Sequence, residues 1–87
     1  MTTKAPSTVQ EFTADTIEKK AYESVAGIAT REPNDRFRLG YHIWRFLTVR
    51  NGTLENAVAE SGARLSISRE DAVAIIRASL EKNGITV

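Results

Sequence analysis

The sequence predicts a mainly α fold: a small four-helix domain with a helix-turn-helix-like C-terminal half and a short C-terminal strand or strap. Three observations predict it. Apolar residues recur at three- and four-residue spacing in four separate stretches, the period of a helix face and not of a strand. Turn signals separate those stretches, at Glu32-Pro33-Asn34-Asp35, Asn51-Gly52, Gly62 and Asn83-Gly84. Ile85-Thr86-Val87, after the last turn signal, is β-favouring enough for a short terminal strand or a strap across the core.

The 87 residues, 41% apolar and 26% charged, have the composition of one ordinary globular domain. Residues 1–11 are small, polar and Pro-containing and read as a flexible N-terminal tail, which leaves residues 12–87 as a single helical domain. No apolar run approaches the roughly 18 residues of a membrane span. The N-terminus also lacks the apolar core of a signal peptide, so a cytoplasmic protein without membrane contact is expected.

The first helix is expected from Thr13 to about Thr30, with Ile17, Ala21, Val25 and Ile28 on one face. Thr13 or Asp15 would cap it, and Asp15 has the better spacing because Glu18 stands three residues on. Ala26, Gly27 and Ala29 leave room near its end for close approach by another helix. Pro33 disfavours helix at Glu32, and Asn34 or Asp35 can cap the next helix.

The central helix is expected from about Arg36 to Arg50. It holds the only Trp, the only His and two of the three Phe. Phe37, Tyr41, Trp44 and Thr48 form one row, and Leu39, Ile43, Phe46 and Leu47 cover the adjoining flank. Such a helix should be buried by neighbours on several sides. The third row, Arg38, His42 and Arg45, is the place where it can meet water or an anion. Gly40 marks a tight helix crossing or a local irregularity, and Gly52 suits a left-handed C-terminal position.

Thr53 caps a third helix and Ser68 a fourth, with Asp71 three residues beyond Ser68. The expected core is Leu39, Ile43, Trp44, Leu47, Leu54, Val58, Val73, Ile76 and Leu80.

These residues offer little from which an enzyme could be assembled. The chain has no cysteine and one histidine, which excludes Cys–His pairs, and neither Gly52 nor Gly62 belongs to a phosphate-loop pattern. No cofactor is expected. The net charge of +1 hides an asymmetry: residues 31–50 carry five arginines against two acids, and residues 51–87 carry four cations against five acids. Arginine is the better residue for bidentate contact with carboxylate or phosphate, so the Arg38, His42 and Arg45 face is the candidate partner or anion surface.

Thr53–Leu80, a capped helix, a turn and a second capped helix, resembles a helix-turn-helix. That resemblance implies a reading helix whose N-terminal residues, Ser68, Arg69 and Asp71 or Ala72, reach base edges while Arg64 and Arg77 touch phosphate. Ile43-Trp44, Gly52-Thr53, Glu55, Ser68-Arg69-Glu70 and Gly84-Ile85 also resemble the helical C-terminal part of PqqD-like peptide-binding domains. In that family a leader peptide pairs with an N-terminal sheet edge, whereas this chain predicts a helix there. Two functions are expected on these grounds. The first is a non-enzymatic regulatory or adaptor module that binds another protein or self-associates, as a homodimer. The alternative is a helix-turn-helix DNA-binding regulator.

Overall fold

Residues 14–87 are described by a computed structural model and form four helices: α1 (Ala14–Ser24), α2 (Pro33–Val49), α3 (Leu54–Glu60) and α4 (Arg69–Lys82). The domain is thus mainly α, as the spacing of its apolar residues predicts. The expected tail, Thr13 and its cap lie outside the described residues. Each helix packs on two neighbours, α1 on α2 and α4, and α3 on α2 and α4, which closes a ring around one core.

That core contains eight of the nine expected side chains, all but Trp44, and adds Ala21, Val25, Ile28, Ala57, Ala72 and Ile85. Trp44 is only half-buried, packed against the edge of the core with its ring 5.8 Å from that of Tyr41. The expectation that α2 is covered on several sides is also corrected. Phe37 and Val49 are exposed, and Tyr41 is exposed as well. Full burial is confined to the face of α2 that carries Asp35, Leu39, Gly40, Ile43 and Leu47.

Local capping explains the helix bounds. The Thr53 hydroxyl accepts the Asn56 N–H at 3.1 Å and the Ser68 hydroxyl accepts the Asp71 N–H at 3.0 Å. α4 ends in a Schellman arrangement, with Ile85 N–H donating to Leu80 O at 2.8 Å and Gly84 N–H to Glu81 O at 3.0 Å. Gly84 takes the left-handed conformation that this stop requires, at φ 86°. Ile85 then folds back as a strap, fully buried, and not as a strand.

Four expectations about boundaries are revised. Asp15 lies inside the first turn of α1 and not ahead of it. α1 stops at Ser24, where the hydroxyl donates back to Ala21 O, and tight i to i+3 hydrogen bonds carry the chain to Ile28. α2 begins earlier than Arg36, because Pro33 at its first position lacks only an N–H that would be unpaired anyway. Its N-cap is Glu32, whose N–H donates to Asp35 Oδ2 at 3.2 Å. At the other end Gly52 is left-handed as expected, at φ 89°, and Arg50, the C-cap itself, is left-handed too, at φ 59°. Its guanidinium donates to Thr86 O at 3.0 Å and lies over Phe46, which holds that conformation in place.

The tight crossing is at Gly40 and not at Gly27, which has open space around it. A Cβ on Gly40 would press into the Tyr22 ring, 2.7 Å from Cε1. Gly40→Ala should therefore destabilise by about 1–3 kcal/mol, although Gly to Ala in a helix ordinarily stabilises by up to about 1 kcal/mol. Urea unfolding checks the sign. In a Tyr22→Ala background the same substitution should become neutral or stabilising, and a penalty of equal size there would show that the ring is not the obstacle.

Candidate functional site

The outer face of α2 and the two grooves beside it make the candidate site. Tyr22 of α1 stacks on Phe37 with ring centroids 5.4 Å apart. Further along, Tyr41 meets His42 edge-on at 5.6 Å and lies beneath the Arg45 guanidinium at 5.9 Å. Burial pushes the Tyr22 hydroxyl up, with the Glu18 carboxylate and Tyr41 adding to the effect, which places Glu18 on the α1 side of this aromatic ridge. On the other side a cleft of about 270 Å³ opens between α2 and α3, lined by His42, Arg45, Phe46, Asn56 and Glu60 among others.

The predicted Arg38–His42–Arg45 stripe is divided by this geometry. His42 and Arg45 line the cleft, but Arg38 is turned to Asp35, with Nη2 2.6 Å from Oδ1. The Asp35 side chain is fully buried. It also takes Arg64 in a two-point contact, Nε to Oδ1 at 3.3 Å and Nη2 to Oδ2 at 3.2 Å. Burial disfavours the Asp35 carboxylate, but hydrogen bonds and charge from Arg64, and charge from Arg38, outweigh it and hold its pKa below the ordinary 3.8. Arg38 therefore has a structural partner, as does Arg64.

The residues of the alternative DNA surface are similarly engaged. Arg77 donates to Glu55 at 3.1 Å, and the Glu55 pKa is lowered by the hydrogen bond from its own backbone N–H and by Arg77. Ser68 is taken up in capping α4. Arg69 remains exposed beside a shallow groove of about 310 Å³ between α3 and α4. The connection from α3 to α4 is not a tight turn. Arg31 N–H donates to Arg64 O at 3.0 Å and Ser66 N–H to Ala29 O at 2.9 Å, so the segment is tied to the α1–α2 loop through a bridge between Thr30 and Leu65.

Two features escape sequence reading. Asp35 is visible there only as a possible cap, since its partner Arg64 lies 29 residues away. The exposure of Phe37 and Tyr41 is also hidden, because a helix apolar on several sides does not disclose which of them its neighbours cover. Among the described residues no helix is long and apolar enough to cross a membrane. Comparison with family models, curated proteins and solved structures finds no match for this chain.

Proposed function

We propose that this domain is a non-enzymatic regulatory or adaptor module that binds another protein through the outer face of α2. One observation carries the reading. Of the four large apolar side chains that stand exposed among the described residues, Phe37, Tyr41 and Val49 lie on α2, and only Ile75 lies elsewhere. Isolated exposed apolar residues are ordinary, but Phe37 and Tyr41 stand one turn apart beside Arg45, with Val49 on the neighbouring cleft wall. Aromatic side chains next to an arginine have the composition of a binding hot spot. The DNA-binding alternative draws less support, because Arg64, Arg77 and Ser68 are each engaged within the domain. Phosphate contacts supply most of the affinity of such binders.

The test is affinity capture from a native lysate with wild type and a Phe37→Ser/Tyr41→Ser variant, alongside a salt series on random duplex DNA. The wild type should retain a protein that the variant loses, while far-ultraviolet circular dichroism shows both to be equally helical. An unchanged set of captured proteins would count against the reading, and so would duplex affinity that falls steeply as salt rises.

A further inference from the structure

The chemistry of the α2 face narrows its partner, an inference that rests on the protein-binding reading above. We propose that its occupant is an acidic amphipathic helix, which lays apolar side chains on Phe37 and Tyr41 and sets carboxylates against Arg45 and His42.

Charge supports this first. The only acid in α2 is Asp35, which is fully buried and already shared by Arg38 and Arg64. Arg45 is exposed and, among the described residues, has no carboxylate within ion-pairing distance; its contact is with the Tyr41 ring. Arg38 keeps 48% of its side chain exposed despite its ion pair, so the cationic side of the ridge extends to it. Two acids border the face, and both constrain the partner. Glu18 lies on the α1 side, near Tyr22, and Glu60 on the far wall of the α2–α3 cleft. A partner's carboxylates are thus favoured along the Arg45 and His42 edge, between those two acids.

Shape and size point to a helix and not to a second globular domain. Phe37, Tyr41 and Trp44 recur at i, i+4 and i+7, the spacing with which an amphipathic helix presents its own anchors. The 17 residues of α2 extend about 25 Å, which at about 10 Å width is a strip far smaller than the roughly 800 Å² per partner of a stable globular interface. A second copy docked in antiparallel register would also set the Arg38 and Arg45 side against the same side of its mate. Single-stranded nucleic acid would likewise stack on the aromatic row. The few cations beside that row favour a carboxylate-bearing helix over a phosphate chain.

The experiment is selection from a displayed library of amphipathic peptides of about 16 residues, matched to the length of α2. Apolar positions are held at i, i+4 and i+7, and flanking positions are drawn equally from Glu, Gln and Lys. Wild type should enrich Glu over Lys at the flanks by at least about fivefold, the scale of two exposed ion pairs. Arg45→Glu should reverse that preference, and Phe37→Ser/Tyr41→Ser should enrich nothing, with circular dichroism confirming that each variant is folded. Enrichment that depends on Tyr41 but shows no charge bias, or a bias to Lys, overturns the acidic partner and leaves the docking face standing. Enrichment indifferent to Tyr41, or none at all, overturns both. Sedimentation of the free protein and binding of a labelled single-stranded oligonucleotide run in parallel. A dimer, or oligonucleotide binding, that is lost in the Phe37→Ser/Tyr41→Ser variant would assign the face to that occupant instead.

Discussion

Asp35→Ala should lower the thermal unfolding midpoint by more than about 10 °C, a large shift for a domain of this size. The substitution removes three things together. The N–H of Glu32 loses its acceptor, Arg38 loses its carboxylate, and the two-point contact with Arg64 disappears. Asp35→Asn keeps the shape and an acceptor for the Glu32 N–H, so its loss should be smaller. Acid unfolding gives an independent check. The folded pKa of Asp35 lies below its ordinary 3.8. The unfolded chain therefore binds more protons over that interval, and the stabilisation is complete above about pH 4 and lost as pH falls through the folded value. Calorimetry on Asp35→Asn should show a flatter acid limb than wild type. A midpoint for Asp35→Ala within about 2 °C of wild type would mean that the buried carboxylate contributes little.

Ile85→Ala should cost about 2–4 kcal/mol, the range for truncating a fully buried branched side chain. The position is an unusual place for such a loss, because Ile85 comes after the last helix and is no part of the periodic pattern that makes α4 amphipathic. It is nonetheless fully buried and directed back onto Leu80 by the Schellman stop. Ile75→Ala is the control. Ile75 lies in the middle of α4 but is 44% exposed, and its truncation should fall within about 0.5 kcal/mol of wild type. Urea midpoints of the two variants compare the same chemical deletion at two burials. A similar cost at both positions would exclude the strap as part of the core.

How much the sequence discloses here depends on how local each determinant is. Thr53 and Ser68 cap through bonds to residues three positions on, so α3 and α4 can be read directly, and the same holds for the stop at Asn83-Gly84. The core stripe of α2 is legible because Leu39, Ile43 and Leu47 keep helical spacing. The remainder depends on distant neighbours. Arg38 reads as one of three equivalent stripe positions until Asp35 is drawn inward by Arg64, and the stripe then separates into a structural member and two that line a cleft. Trp44 reads as core because the central helix is apolar over most of its surface, but it is left half-buried at the edge of the core. Arg50 in a left-handed conformation has no local signature either, since Thr86 holds it from 36 residues away.

The tie between the two loops alters where this molecule can breathe. Loops are commonly the first segments to open, with free energies near zero, while helices exchange their amide hydrogens only through rarer events. Here the amides of Arg31 and Ser66 are bonded across the tie, and the Asp35–Arg64 ion pair lies against it. Those amides should therefore exchange more slowly than loop amides ordinarily do, and Arg64→Ala should speed their exchange if the ion pair secures the tie. Between α2 and α3 the link is held at its two ends, by Arg50 on Thr86 and Phe46 and by the Thr53 cap. That leaves the exposed Asn51-Gly52 pair between them, at the foot of the cleft that holds His42 and Arg45. The cleft is thus bordered by a link with fewer internal bonds than the tied loops at the opposite end of the helical ring.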